Sequence, residues 1–471
     1  MMPPRWSRRA LSLLCALAAA GCATQADRYE RPPVPAPSRW LAPASDAAWP
    51  DSRWWSAFGS PELDALIAQA QLANHDLRMA AARVEQARAN ARLASALQSP
   101  VLGFALSGER HKDVGESAVN DYTAGFSAAY EVDLWGRQRD IAASGAAQLL
   151  ASEFDRETIR LQLTADVANA WFNILSLNDR LQVAQENLAL ARRLLDLLAV
   201  QQQAGRTTSL ELERQRSLVA TTESAIPALL QQRAVARGVL AVLLGQPPEQ
   251  APDPRGSLRA LQLPPTHGGV PALLVERRPD IRRAEASLVA ANADVGAARG
   301  ALLPTLTLRA VAGAGGGTVA NLLGSGGGGF YTLAATLAAT LFDGGALRSR
   351  VELAQAQKVE RAELYLQTVV TSFREVEEAL AGLEQFARQE QLLLAAAGSA
   401  REANRLTDVR WRAGAESYVN VLDAQRTLLA AEAAIDQPRL ARFTSATALY
   451  RALGGGWEGQ PVQGVARADA R

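Results

Sequence analysis

Hydrophobic and polar positions alternate with a period of two in two pairs of short segments. The first pair covers residues 102–107 and, after a polar stretch, residues 122–133. The second pair covers residues 305–309 and, after a glycine-rich stretch, residues 331–341. Alternation of apolar with small or polar side chains over about ten residues is typical of a transmembrane β-strand, and it also occurs in a soluble hairpin that packs on a core. We therefore predict β-hairpins at 100–133 and 304–341, with loops at 109–121 and 313–329.

The alternation also predicts which way each side chain points if the strands span a membrane. Successive side chains of a strand point to opposite faces of the sheet. The apolar face would contact lipid, and it includes Phe126, Tyr331, Leu333 and Leu337. The polar face would line a wet lumen, and it includes Arg309, Thr332, Thr336, Glu131 and Asp133.

Long stretches rich in Ala, Leu, Gln, Glu and Arg follow each hairpin and contain almost no Gly or Pro, as long helices require. A helix of about 65 residues extends roughly 100 Å, which is far longer than a globular domain needs. Shorter helical stretches that begin at a proline precede the hairpins, at 61–97 and 279–301. The four long helices are predicted at 137–203, 209–244, 345–411 and 418–453.

The body of the chain is a tandem duplication. Asp76-Leu77-Arg78 recurs as Asp280-Ile281-Arg282, and Pro100 recurs as Pro304, both displaced by 204 residues. Further along, Ala204-Gly205 recurs as Ala413-Gly414, displaced by 209 residues. Each half carries the same order of helix, hairpin and long helices. We therefore predict two structural repeats, at 61–255 and 264–456.

The N-terminus has the features of an export signal. Three arginines precede a short apolar run, which ends in Ala19-Ala20-Gly21-Cys22 and resembles a bacterial lipobox. We predict a signal peptide at 1–21, an acylated Cys22 and a lipidated extended segment at 22–60. The alternative is ordinary signal peptide cleavage with an incidental cysteine. The last residues, 457–471, are predicted to form a flexible tail.

Composition argues against several classes of function. Lys+Arg 49 against Asp+Glu 48 leaves a net charge of +1, whereas a nucleic-acid binder needs a basic excess. No two of the three histidines lie within five residues of each other, and both cysteines fall in the first 22 residues. The glycine-rich runs lack the Lys-Ser/Thr of a phosphate loop. We expect no enzyme, no metal site and no cofactor except the lipid on Cys22.

Four membrane strands cannot close a barrel. An open sheet edge in lipid would leave unpaired N–H and C=O groups, and each would cost several kcal/mol. Two copies would give eight strands, whose interior is filled by side chains. Three copies would give twelve strands around an open lumen, and the long helices would extend that conduit away from the membrane.

Five motifs stand out along the chain. They are Trp54-Trp55-Ser56-Ala57-Phe58, Asp76-Leu77-Arg78, Tyr130 to Arg137, Arg277 to Pro304, and Leu422-Asp423-Ala424-Gln425-Arg426. Together they resemble the TolC-type outer membrane efflux channels, in particular their OprM/NodT-like lipoprotein branch, over almost the whole chain. The resemblance implies an α+β membrane protein that forms a homotrimer. Its twelve-stranded outer membrane β-barrel, with four strands per chain, would be continuous with a long periplasmic α-helical barrel.

The resemblance also implies a function. The protein would be the exit duct of a tripartite efflux pump, lipid-anchored in the bacterial outer membrane and extending into the periplasm. It would passively conduct drugs or other small toxic compounds, with a periplasmic adaptor (membrane fusion) protein and an inner membrane RND transporter as partners. One alternative is the outer membrane channel of a type I protein secretion system. Another is a lipid-anchored enzyme or soluble helical scaffold.

The resemblance further implies a periplasmic gate at a turn between two helices. By position, Val419 matches an apolar ring and Asp423 an acidic ring that close the tip of such channels. Some relatives carry a second Asp where this chain has Asn420. We expect Glu416 and Arg412 to brace this turn as an ion pair.

The equivalent turn of the first repeat offers two further acids, Glu211 and Glu213. They are candidates for the same constriction. The alternative is that they are solvated charges on the first turn of a helix, where carboxylates are favoured by the helix dipole.

Overall fold

The computed structural model of the chain divides into two compact units, which are described separately below. The predicted signal peptide, Cys22 and the tail beyond residue 457 lie outside the described residues. In the part that is described, no helix is both long and apolar enough to cross a membrane. The described residues are 28–34, 37, 39–41, 51–265, 274–323 and 327–457.

The helices follow the order that the sequence predicts. They are α1 (Pro61–Ala73), α2 (His75–Ala96), α3 (Arg137–Gln203), α4 (Ser209–Leu243), α5 (Leu274–Arg277), α6 (Pro279–Gly300), α7 (Val319–Leu323), α8 (Ala346–Arg412), α9 (Tyr418–Ala434) and α10 (Asp436–Ala452).

The first unit contains an antiparallel sheet in the order β1-β2-β3-β4. The strands are longer than predicted at the loops, because β1 reaches residue 111, β2 begins at 119 and β3 continues to 316. The glycines that suggested a loop lie inside the ladder: a Cβ on Gly313 would come within 2.3 Å of the carbonyl oxygen of Ala124. The last strand ends at residue 338 and not at 341. The bounds are β1 (Val101–His111), β2 (Val119–Val132), β3 (Thr305–Gly316) and β4 (Gly328–Ala338).

The second unit has an aromatic core that accounts for the Trp-Trp motif near residue 54. The rings of Trp54 and Tyr450 stack with centroids 5.0 Å apart. Phe58 lies 5.0 Å from Phe172, and Phe172 lies 5.1 Å from Phe443. Residues from the start of the first repeat therefore pack against residues from the end of the second.

Two helices that were predicted as continuous are each broken into two. The predicted helix at 61–97 breaks at Asn74, whose side chain accepts from the N–H of Leu77 at 3.0 Å and donates to the carbonyl of Leu243 at 3.0 Å. The predicted helix at 418–453 breaks at Ile435, between α9 and α10. Pro438 follows this break and has no N–H for a helical hydrogen bond, which favours an interruption there.

The duplication is visible in where the elements begin. β1 begins at Val101 and β3 at Thr305, a displacement of 204 residues, whereas α3 and α8 begin at 137 and 346, a displacement of 209. Each long helix that follows a hairpin ends in a turn with a left-handed glycine, Gly205 with φ 74 and Gly414 with φ 72. Only glycine adopts this conformation without steric cost, and this explains why the pair recurs.

Candidate functional site

One face of the sheet is apolar and exposed. The side chains of Phe126, Tyr331, Leu333 and Leu337 are 66–79% exposed and lie on the same face, since Phe126 pairs with Ala312, which pairs with Tyr331. Phe104 lies opposite Phe126 on that face, with ring centroids 5.2 Å apart. A continuous apolar face of this kind suits contact with lipid.

The opposite face carries mostly small and polar side chains. It carries Thr332 opposite Val311, Thr336 opposite Thr307, and Arg309 between Ala129 and Ala334. Hydroxyl groups bond across the strands, as between Ser107 and Thr123 with oxygens 2.5 Å apart. Glu131 also lies on this face, and its carboxylate pairs with the guanidinium of Arg137 at 2.7 Å.

Asp133 lies outside the sheet, which corrects its predicted place among the strand residues of the polar face. It follows the last residue of β2, and its carboxylate accepts from the backbone N–H groups of Gln138 and Arg139, both at 3.1 Å. Asp343 plays the same part before α8, where it accepts from the N–H of Leu347 at 2.7 Å. Both carboxylates satisfy free N–H groups at a helix N-terminus, where negative charge is favoured.

In the first repeat, the turn between α3 and α4 is fixed by a capping box. The hydroxyl of Thr208 accepts from the N–H of Glu211 at 3.3 Å, and the Glu211 carboxylate accepts from the N–H of Thr208 at 3.0 Å. The Thr207 hydroxyl donates a further hydrogen bond to the Glu211 carboxylate. This bond and the one from the N–H of Thr208 hold the pKa of Glu211 below its usual range. Glu211 is therefore engaged in the turn, whereas Glu213 is exposed and pairs with Arg216 at 2.6 Å.

In the second repeat, the turn between α8 and α9 is braced differently from the prediction. Glu416 pairs with Arg410 at 3.6 Å and not with Arg412, which pairs with Asp408 at 2.9 Å. Arg412 and Asp408 are four residues apart on α8, so they already face each other along the helix. The Glu416 carboxylate also accepts from the Asn420 amide at 2.6 Å, which lowers the pKa of Glu416.

Val419 and Asp423 lie on the side of α9 that faces away from the chain's own core. Tyr418, Val421 and Leu422 are buried, whereas the side chains of Val419 and Asp423 are exposed. Their spacing of four residues puts them one turn apart on one face. Arg426 is also exposed and continues the same face by one further turn. An apolar, an acidic and a basic side chain thus follow one another along α9.

A buried hydrogen bond that the sequence pattern did not reveal joins the two turns. The hydroxyl of Tyr418 donates to Oε1 of Gln215 at 2.6 Å, and Nε2 of Gln215 donates to the carbonyl of Ala191 at 2.8 Å. The only available signal was the recurrence of a Gln-Arg pair at 215 and 425. Apolar residues surround the bond: Leu198, Leu212, Leu218, Val421 and Leu422.

We expect Tyr418→Phe to loosen both turns. The substitution leaves Oε1 of the fully buried Gln215 without its donor, and an unsatisfied buried acceptor costs about 1–3 kcal/mol. Hydrogen exchange of the amides in α4 and α9 should accelerate. Tyr365→Phe is the matched control, because the hydroxyl of the equally buried Tyr365 has no partner in the described structure. Equal exchange in the two variants would contradict the role of the Tyr418 hydroxyl.

Known proteins similar to this chain are outer membrane proteins of export systems. A model of the outer membrane efflux protein family matches residues 66–246 and 270–455. The chain is 40% identical over 436 residues to the pyoverdine export outer membrane protein OpmQ of Pseudomonas putida, covering 90% of this chain and 92% of that protein. It is 32% identical over 459 residues to the outer membrane protein OprJ of Pseudomonas aeruginosa, covering 95% of each. The solved open state of the Neisseria gonorrhoeae MtrE outer membrane channel matches with a TM-score of 0.85 and 27% identity, over 92% of this chain and 98% of that chain.

Proposed function

Because the chain belongs to the outer membrane efflux protein family, we propose that it is the exit duct of a tripartite efflux pump. It lies in the bacterial outer membrane, extends into the periplasm and conducts small toxic compounds passively. The observation that carries this function is the sheet with one apolar and one polar face, within a fold shared with outer membrane channels. Such a sheet can separate lipid from a wet lumen.

The duct is a homotrimer with a TolC-like fold. The sheet of one chain ends at β1 and β4, and both edges lack a strand partner within the described chain. In lipid each unpaired backbone group would cost several kcal/mol, so the edges favour pairing with further copies. Three copies give a twelve-stranded barrel with an open lumen. A periplasmic adaptor and an inner membrane RND transporter complete the pump.

A deletion strain tests the function. We expect loss of the gene to sensitise cells to exported compounds and a plasmid copy to restore resistance. The assays should include export of pyoverdine and susceptibility to metal salts beside antibiotics, since relatives are named for pyoverdine export and for cation efflux. A deletion that changes no susceptibility but abolishes secretion of a protein would favour the type I secretion channel instead.

The gate is proposed at the turn between α8 and α9. Three copies of Val419 and Asp423 around an axis would stack an apolar ring beside an acidic ring. Their exposure on the free side of α9 supports this arrangement, because the side chains are available to line a pore. Asn420 and Glu416 would position the turn through their hydrogen bond of 2.6 Å. Glu213 is the remaining exposed acid of the first repeat's turn.

We predict that Cys22 is acylated and that the mature chain begins there. Mass spectrometry of the mature N-terminus should find a lipid-modified residue 22, because small residues precede this cysteine. Cys22→Ala should reduce membrane anchoring without abolishing the pore, since the barrel inserts independently and one or two acyl chains add only to the attachment. Cys15→Ala is the control and should change nothing. An unmodified mature N-terminus, or cleavage elsewhere, would contradict the prediction.

A further inference from the structure

Three charged side chains on the polar face of the sheet have no ionic partner within the described chain. Arg309 lies between Ala129 and Ala334, and the nearby Glu131 is already paired with Arg137. Glu109 lies directly opposite Asp121 in the β1–β2 ladder. Like charges at directly opposed positions destabilise a sheet. The polar face therefore carries one unpaired cation, Arg309 on β3, and two unpaired acids, Glu109 on β1 and Asp121 on β2.

The duplication predicts how the two open edges of the sheet meet. The first strands of the two hairpins are β1 and β3, and Val101 of β1 is equivalent to Thr305 of β3, a displacement of 204 residues. The second strands are β2 and β4. Val101 pairs with Ala129 and its equivalent Thr305 pairs with Ala338, so Ala129 is equivalent to Ala338, a displacement of 209 residues. The starts of α3 and α8, at 137 and 346, give the same 209 independently.

Inside the chain, β2 of the first hairpin pairs with β3 of the second. In a ring of repeats, β4 meets β1 of the next copy in the equivalent way. The equivalent pairs are found by adding 209 to the β2 residue and subtracting 204 from the β3 residue. The Ser127–Val311 pair then corresponds to Thr336 opposite the partner subunit's Ser107. The Gly125–Gly313 pair corresponds to Ala334 opposite the partner subunit's Glu109.

The faces of the sheet support this register. It places Thr336 and Ser107 together on the polar face, and it places Leu337 beside Leu106 on the apolar face. A slip by one residue would move a whole strand's apolar set to the wrong face. The register is therefore compatible with a closed barrel that has one lipid face and one lumen face.

We infer that Arg309 forms an ion pair with the partner subunit's Glu109, across Ala334, at each junction of the trimer. This inference rests on the trimer of the proposed function. The three residues share one row, so the two backbones are separated by two strand spacings, about 9.5 Å. A long arginine and a glutamate can reach each other over that span, and the methyl group of Ala334 leaves the space between them open. The pair relieves the repulsion between Glu109 and Asp121.

The same residues cannot pair within one chain. Arg309 is level with Ala129 of β2, which is level with Val101 of β1. Glu109 lies eight residues further along β1, about 26 Å away at the rise of an extended strand. Any energetic coupling between positions 309 and 109 therefore comes from a neighbouring copy.

Disulfide cross-linking tests the register. Thr336→Cys with Ser107→Cys should give covalently linked trimers on non-reducing gels. Thr332→Cys with Ser107→Cys is the matched control, because it is offset by four residues, about 13 Å, and should not cross-link. Each single variant controls for reaction with the native cysteines. Heat-stable trimers that link only in the control combination would overturn the register while the trimer stands. Absence of any trimer would overturn both the register and the proposed assembly.

Charge reversal tests the ion pair. Arg309→Glu should lower the temperature at which trimers dissociate in detergent, because it sets three acids together at each junction. Adding Glu109→Arg should restore most of that loss. Adding Glu116→Arg, which reverses an exposed acid in the loop between β1 and β2, should not. The inference is overturned if the 309 and 109 reversals act additively, or if the loop variant rescues equally well.

Discussion

Leu333→Arg is expected to abolish stable trimer assembly, whereas Thr332→Arg at the neighbouring position is expected to be tolerated, since Leu333 lies in the middle of β4. The two residues are adjacent on β4 but point to opposite faces of the sheet. An arginine on the lipid face near the bilayer midplane costs about 2–4 kcal/mol, and every copy in the trimer would bear that cost. An arginine in the lumen stays hydrated. The measurement is the amount of heat-stable trimer in outer membrane fractions.

A second pair of variants guards against a local effect at one site. Leu337→Arg and Thr336→Arg repeat the comparison four residues away, with the same assignment of faces. Leu337 is one residue from the end of β4, where an arginine costs only about 0–1 kcal/mol, so Leu337→Arg should impair assembly less than Leu333→Arg. Matched expression of the four variants in whole cells must be established first. Equal assembly of the lipid-face and lumen-face variants would show that the assignment of faces is wrong.

The alternation of side chains was enough to predict the faces of the sheet. Period two is a geometric property of every strand, so Leu333 and Thr332 fall on opposite faces whatever the surroundings. The strand ends were less predictable, because polar and glycine residues occur both in loops and in ladders. Gly313 shows the difficulty: it pairs with Gly125 and needs the absence of a Cβ for close approach of the strands.

Tertiary contacts explain the remaining differences from the sequence. The break at Asn74 depends on a hydrogen bond to the carbonyl of Leu243, 169 positions away. The Tyr418–Gln215 bond likewise spans 203 positions. Neither contact leaves a periodic signal in the local sequence. The pairing of Arg412 was predictable in principle, since Asp408 precedes it by four residues on the same helix.

The double variant Val419→Ala with Asp423→Ala is expected to raise single-channel conductance and to shift selectivity from cations towards anions. A narrow apolar ring resists wetting, and a ring of carboxylates favours cations. Removing both widens the constriction and removes its negative charge. The exposed Arg426, one turn further along α9, then becomes the nearest charged ring. Conductance and reversal potential in planar bilayers give the two quantities separately, and cells should become sensitive to large antibiotics.

Glu402→Ala is the matched control, because it removes an exposed acid from α8 that pairs with Arg405 at 2.7 Å. It should leave conductance and selectivity unchanged.

The single variants separate the two rings. Val419→Ala should act mainly on conductance, since it changes the width of the constriction and leaves its charge. Asp423→Asn should act mainly on selectivity, since it removes charge at nearly constant volume. Unchanged behaviour of a correctly trimeric double variant would place the constriction elsewhere. Glu213 would then be the next acid to substitute, because Glu211 is held in its capping box by Thr208. An adaptor that binds the open channel more tightly than the closed one would shift the population towards the open state. No covalent bond would have to break, because only packing would hold the proposed rings together.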